Sequence, residues 1–524
     1  MEKSNRQDKF LQLRDEYAFF SYEGYDYSYS VHGLDIRFYF NLADKYRFSP
    51  TAFIPTKSFF IPEHEIMDLL PNLVFHLGLI ELISYWKAAC PPQLIIKPHA
   101  LTPDQVTWWK KCWFNGLGEF FYLNSISTDI DNFLEIKVAS DDQLDPVQCS
   151  LKPDVIVPVG GGKDSVVTLE ILRKIPGVTP LIVNPRGASV HSIFVAGFGH
   201  AGMIGINRSI DPLLLQLNAE GFLNGHTPFS AMLAFVSILT AVISGKKYIA
   251  LSNESSANET TIPGLPVNHQ YSKTYEFEED FRSYVNTWIC PEVNYFSFLR
   301  PLNEIQITSL FTRYPNYFPV FKSCNVGSKT DSWCGKCAKC LFTFIMLAPF
   351  VKPEQLIGIF HSDLLNDITL KPILNQLTGI ASEKPFECVG TIAEVNAALQ
   401  ETINQYGNNP LPSLLHYYAG LNPVVIARSR SCEGTEAEAT KQPRTEPTLS
   451  DRETKQPPGT HLTTSQLPRH SVPRNDITHK LTSSQTHQFT SSPPHHLTTF
   501  LKAWDSQNFL PPHFEELLKG ALNG

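Results

Sequence analysis

Three groups of residues in this chain have types and spacings suited to chemistry. The first is Gly160-Gly161-Gly162-Lys163-Asp164-Ser165, which follows the apolar run Val155–Val159 and opens a helical stretch. Glycines let a backbone approach an anion without a Cβ, and a helix start adds unpaired N–H donors at the positive end of a dipole. Asp164 and Ser165 stand where they can cap the helix. Asp164 can also hold Mg²⁺ beside phosphates, Ser165 can donate to a phosphate oxygen, and Lys163 supplies mobile positive charge. The spacing is neither that of a Walker loop nor that of the dinucleotide fingerprint GxGxxG. A ligand-free turn would leave Lys-Asp-Ser after three glycines unexplained.

The second group is Cys324, Cys334, Cys337 and Cys340, in SCNVGSKTDSWCGKCAKC. Two overlapping CxxC steps place three thiolates in one knuckle, and Cys324 can complete a tetrahedron. Four soft ligands with no open position describe a structural Zn²⁺ site, with Lys336 and Lys339 offsetting its charge. A set of reduced buried thiols is the competing reading. A redox CxxC fits less well, because the segment does not open a thioredoxin-like βα unit.

The third group consists of polar loops. Ser252–Glu259, which includes Glu254 and Glu259, follows the apolar run Lys247–Leu251; Asn268–Lys273, with His269 and Lys273, comes shortly after. Asn184-Pro185-Arg186-Gly187 ends another run, and Asn224–Pro228 contributes His226. So many titratable groups at strand ends suit a substrate pocket carried by a rigid scaffold. A solvated loop or a satisfied structural histidine is the plainer account of any one of them.

The elements that must position these groups alternate. Val155–Val159, Thr179–Asn184, Met203–Ile210 and Lys247–Ser252 read as strands; Ser165–Lys174, His191–Ala201 and Pro228–Ser244 read as helices. Such βα units predict an α/β fold with a doubly wound parallel sheet, which binds ligands at the carboxyl ends of its strands. Residues 1–150, with strand-like Ile36–Leu42 and helical Pro62–Ala89, form an N-terminal α+β region. Residues 151–350 form the nucleotide-binding domain with its knuckle, and 351–428 a helical region. The Thr/Ser/Pro/Gln/His-rich tract 429–494 is too polar to offset its ordering entropy and is expected to be disordered. Its edge and interior hold His461, His470, His479, His487, His495 and His496, whose irregular spacing fits composition bias better than metal binding. Residues 495–524 regain helical character and are expected to dock back on the body.

Bulk properties narrow the function. A net charge of -8 argues against a general nucleic-acid binder. No secretory signal is visible, and the apolar stretch Phe229–Ser244 is shorter than the roughly 20 residues a membrane span needs, so a cytoplasmic enzyme without a membrane partner is expected.

The glycine loop resembles the SGGxDS signature of the ATP pyrophosphatase (PP-loop) superfamily, with Gly160 where that signature has Ser. Further segments resemble one family within it, the bacterial UDP-N-acetyl-α-D-muramoyl-L-alanyl-L-glutamate epimerases: Ser84–Pro92 (SYWKAACPP), Pro158–Glu170 (PVGGGKDSVVTLE), Ser252–Glu259 (SNESSANE), Val267–Glu278 (VNHQYSKTYEFE) and Cys334–Phe350 (CGKCAKCLFTFIMLAPF). The resemblance covers about residues 10–425. It implies an adenine nucleotide α-hydrolase-like fold and ATP- and Mg²⁺-dependent inversion of the terminal L-glutamate of a UDP-muramoyl dipeptide, through adenylation of its carboxylate. It also implies a functional link to the ligase that adds that glutamate. Gly160–Ser165 would then hold pyrophosphate, with Mg²⁺ on Asp164 and adenosine near Asn184. His269 and Lys273 are the leading proton-transfer candidates, with Glu254, Glu259 and His226 behind them. The rival readings are an ATP-dependent amide or nitrile synthase or a thiolation enzyme with the same loop, and a non-enzymatic nucleotide sensor.

Overall fold

The computed structural model describes residues 4–59, 63–421 and 496–524. The tract expected to be disordered, with His461, His470, His479, His487 and His495, lies outside them. The described residues belong to one compact unit. Its frame is a sheet of eleven strands: β1 (Phe19–Tyr29), β2 (Gly33–Leu42), β3 (Tyr46–Phe48), β4 (Thr51–Pro55), β5 (Gln93–Ile96), β6 (Glu135–Val138), β7 (Lys152–Pro158), β8 (Val178–Val183), β9 (Ile204–Ser209), β10 (Lys246–Leu251) and β11 (Asn294–Ser297). The order is β11-β10-β7-β8-β9-β4-β2-β1-β5-β6, with β3 paired to β2.

The run from β11 to β9 is parallel throughout. From β7 the chain passes to β8 and β9 on one side, then returns to β10 and β11 on the other, so the winding reverses between β7 and β10. That is the doubly wound pattern, and its crevice lies at the reversal. Alternation along the strands feeds two cores. Val155 and Val157 face one, which also takes Ala250; Ile156, Ile249 and Leu251 face the other.

The sheet does not break at residue 150. β4 pairs antiparallel with β9, Thr51 opposite Ser209 and Phe53 opposite Asn207, which carries the N-terminal strands onto the parallel half. The result is a mixed sheet, parallel in six of its ten pairings. Arg208 fastens the seam by donating twice to Glu81 at 2.7 Å.

Phe229–Ile243 is a helix with almost every residue buried, as its uniform apolarity requires. The stretch Glu65–Trp86 is long and apolar enough to cross a membrane by length and composition, yet 78% of that window is buried inside the protein. Packing against the sheet accounts for its character. The expected helix His191–Ala201 starts earlier, at Gly187, and ends at Val195; Gly197, at φ +91°, turns the chain away from it. Helices Pro353–Phe360, Lys371–Leu377, Ile392–Tyr406 and Ser413–Leu421 fill the expected helical region, separated by an irregular segment at 378–391. The C-terminal segment docks back through Phe514, whose ring lies 5.2 Å from Tyr248 and 5.0 Å from Phe296. It holds two helices, Leu497–Leu501 and Pro512–Asn523.

Candidate active site

The glycine loop leaves β7 and the polar loop Ser252–Glu259 leaves β10, so both sit at the winding reversal. Gly161, at φ +84°, packs so tightly on Ala188 and Ser189 that a Cβ would meet backbone at 2.7 Å; Gly160 faces open space. Gly162 precedes helix Lys163–Leu172 with no side-chain cap, contrary to the capping expected of Asp164 and Ser165. Ser165 Oγ instead braces the loop, accepting from Gly161 N–H at 3.2 Å and donating to the Gly162 carbonyl at 2.9 Å.

Lys163 is not the mobile cation expected. It is buried and clamped between Asp164 and Glu304, whose side chain is equally buried. Burial pushes the Glu304 carboxyl up to about 8 despite this neighbour. Burial would also raise partly exposed Asp164, but Lys163, Lys339 and Lys273 outweigh it and hold that carboxyl low. The loop therefore presents a carboxylate at a helix start, while Lys273 and Lys339 supply the nearby positive charge.

Arg300, with no exposed surface, ties the polar loops to this place. It donates to the carbonyls of Glu254 (2.7 Å) and Lys273 (2.5 Å) and pairs with buried Glu278 at 3.0 Å. Glu254 itself is buried, with Ser256 Oγ 3.5 Å away. Glu259 holds a strap instead of pointing at a substrate. Its carboxylate takes Lys384 Nζ and, at 3.3 Å, the N–H of Ile392, pinning both ends of the irregular segment between them. Gly390 lets that strap pass close over the core, since a Cβ there would lie 3.0 Å from both Glu304 and Glu394.

The strap delivers Cys388, a residue without any motif around it. Lys273 Nζ lies 3.3 Å from its sulfur, His269 hydrogen-bonds its side chain, and Lys339 donates to its carbonyl. Burial would raise this thiol, but Lys273, His269 and Lys339 overcome it and hold it well below the ordinary thiol range. His269 Nδ1 also meets Glu119 Oε2 at 2.5 Å, and Glu119 is buried on helix Gly118–Leu123. Burial alone would lower His269; its bonds to Cys388 and Glu119 raise it to about 10. The His226 ring lies 4.6 Å away, tilted against it, and 3.5 Å from the same carboxylate, but burial and the His269 charge depress it to about 4. The ligand atoms of Glu119, His226 and His269 all lie within 4.8 Å of one another, close enough to hold a metal ion.

His269, Lys273, Glu254 and Asp164 are thus brought to one strand-end crevice. Glu259 and Lys163 serve there as clamps. Asn184 stands at the end of β8 in the left-handed region (φ +53°), a conformation asparagine tolerates, and its side-chain oxygen accepts from Arg208 N–H at 2.7 Å. Cys388, Glu119 and Arg300 were missed by sequence reasoning. Signals did exist: an arginine in apolar FSFLRP, a glutamate in apolar GLGEFF, and a cysteine outside the knuckle.

The four knuckle cysteines do come together. Sulfur separations are 3.7 Å (Cys324–Cys337), 3.7 Å (Cys334–Cys340) and 3.5 Å (Cys337–Cys340), close to the roughly 3.8 Å edge of a tetrahedron with about 2.3 Å metal–sulfur bonds. Backbone N–H groups point at the sulfurs, Gly327 to Cys324 at 3.1 Å and Lys336 to Cys334 at 3.5 Å. The set fits a four-thiolate metal site. A cavity of about 700 Å³ opens at the amino ends of β10 and β11, lined by Lys247 and Asn294, away from this chemistry. One of about 310 Å³ borders Phe120 and Gly225, the chain neighbours of Glu119 and His226.

Comparison with known proteins identifies two family domains, which divide the chain between residues 298 and 320. Residues 12–298 match the model of the MurL N-terminal domain and residues 320–415 that of the MurL C-terminal domain. The Salinispora tropica UDP-N-acetyl-alpha-D-muramoyl-L-alanyl-L-glutamate epimerase is 36% identical over 362 residues, 67% of this chain and 77% of that protein. The enzyme of the same name from Xanthomonas oryzae pv. oryzae is 34% identical over 331 residues, 62% of this chain and 72% of that protein. No solved structure matches. His269 and Lys273 fall in the first matched domain and Cys388 in the second, so the crevice is built from both. This chain belongs to the MurL family.

Proposed function

We propose that this chain inverts the terminal glutamyl residue of UDP-N-acetylmuramoyl-L-alanyl-L-glutamate from L to D, with conversion of ATP to AMP and pyrophosphate. The observation that carries the reading is the meeting, in one crevice of a MurL-family chain, of an anion-ready glycine loop with a cluster able to move protons. The chemistry needs both. A proton on the carbon beside a free carboxylate is hard to remove, because the carbanion would form next to an existing negative charge. ATP would supply the activation that turns that carboxylate into a mixed anhydride. In this PP-loop-like arrangement, Asp164 would hold Mg²⁺ at the glycine loop, whose N–H groups, with Lys273, would hold the phosphates. Cys324, Cys334, Cys337 and Cys340 would hold a structural Zn²⁺, and the substrate would come from the ligase that adds L-glutamate to the muramoyl-alanine precursor.

The test incubates the chain with ATP, Mg²⁺ and the UDP-muramoyl dipeptide, then assays pyrophosphate and glutamate chirality. Both pyrophosphate and D-glutamate are expected. Pyrophosphate without inversion, or turnover that requires ammonia or a sulfur donor, would replace this reading by an amide, nitrile or thiolation enzyme.

A further inference from the structure

Resting on the proposed function, we infer that the sulfur of Cys388 is the proton carrier on one face of the glutamyl Cα, with His269 and Glu119 as its positioning residues. The argument starts from which group in the crevice can accept a proton. Lys273 and His269 face this sulfur as cations that keep their protons. Neither has a lone pair to offer. Nor can they flank a substrate carbon between them, because both already reach the same sulfur. The sulfur has an available electron pair and is only partly buried.

Glu119, His269 and Cys388 form a line from a buried carboxylate through an imidazole to a sulfur, the order in which an orienting acid fixes a ring and the ring fixes a reactive atom. The surroundings also carry an unfilled valence. Gln270, 4% exposed, donates to the carbonyl of Val389, the residue after Cys388, while its side-chain oxygen has no partner. A buried amide oxygen left open costs free energy unless a ligand supplies the donor.

In the step itself, the sulfur lone pair takes the Cα proton and an S–H bond forms. The C–H bonding electrons pass to the acyl oxygen of the activated carboxyl group. A proton from water on the opposite face then restores the C–H bond with inverted geometry as the electron pair returns from the acyl oxygen, and the thiol gives its proton to the hydroxide left behind. The overall step is redox-neutral.

The test uses the full chain, its Cys388→Ser variant and its His269→Gln variant. In the wild type, iodoacetamide at pH 6, mapped by peptide mass spectrometry, should label Cys388. His269→Gln should move the labelling midpoint of Cys388 upward by about one pH unit or more, an effect that loss of packing alone would not give. Cys388→Ser should keep its melting temperature, while inversion and solvent deuterium uptake at Cα fall at least ~100-fold. Inversion by Cys388→Ser near the wild-type rate, or a Cys388 that resists labelling at pH 6, overturns the inference. A wild-type chain that labels at Cys388 yet inverts nothing overturns the proposed function, and the inference with it.

Discussion

Four cysteines of this chain stand together and one stands apart, and the contrast separates structure from chemistry. In the knuckle, sulfurs face sulfurs at 3.5 to 3.7 Å and one another's charge is the main difficulty. The close contact between Cys337 and Cys340 holds Cys337 down at about 5 while Cys340 is pushed up, the pattern of thiols sharing too few protons. Around Cys388 the neighbours are cations from two separate segments: His269 and Lys273 on one polar loop, and Lys339 beside the knuckle. A cluster of like groups calls for a metal to neutralise it. A single sulfur neutralised by protein cations stays available to react.

The largest effect should come from the clustered set. Cys334→Ala would leave three thiolates, and structural zinc in small sites contributes about 10–16 kcal/mol, comparable with a whole domain's stability. Loss of bound zinc by atomic absorption and of cooperative melting by circular dichroism is expected. An unchanged melt would end the comparison, because the knuckle would then be a set of ordinary thiols. Next comes the framework under the solitary sulfur. Arg300→Met leaves Glu278 as an unpaired buried carboxylate, which should cost about 3–5 kcal/mol, read by urea unfolding. Stability near wild type would mean that Arg300 does not hold the loops of Glu254 and Lys273. Smaller still, Glu259→Gln should weaken both ends of the strap and cost about 1–2 kcal/mol. Faster amide exchange confined to residues near 384–392 would show it, and uniform exchange would count against the strap.

The pH dependence sharpens the contrast further. His269 sits at about 10 against an ordinary 6.5, so its contribution is full below 6.5 and is lost as pH rises through 10. Cys388 is depressed from an ordinary 9.0, so its contribution is full above 9 and is lost as pH falls towards its folded value. Between 6.5 and 9 the two slopes oppose each other, giving a plateau in unfolding free energy. His226, depressed to about 4, steepens the acid edge, because the unfolded chain takes up its proton first as pH falls from 6.5. Urea titrations from pH 4 to 10 should show the slope between 6.5 and 9 turn more positive in His269→Gln than in the wild type, and an unchanged slope would refute the imidazolium–thiolate pairing.

What was legible in the chain follows the same division. The glycine loop and the knuckle are contiguous, so spacing alone located them, and alternating apolar runs located β7 to β10. The seam between β4 and β9 carries no local pattern, because Thr51–Phe53 reads as a strand whatever it pairs with. The roles of Lys163 and Glu259 were misread for one reason: Glu304 and Lys384, which occupy them, lie 141 and 125 residues away. Cys388 had neither periodicity nor spacing to betray it. Its meaning comes from Lys273 and His269 over a hundred residues earlier.

Lys273 and Lys339 each act on two anions at once, the carboxylate of Asp164 and the sulfur of Cys388. That sharing makes the two ends of the crevice thermodynamically linked. Were a polyanion to bind at the glycine loop as proposed, it would draw the ammonium groups towards itself, and the sulfur, less well compensated, would become a stronger base. By reciprocity the coupling runs backwards with equal size, so the protonation state of one side chain on a strap sets how tightly the loop holds its anion. The reagent that activates the carbon would thereby also arm the group that attacks its proton.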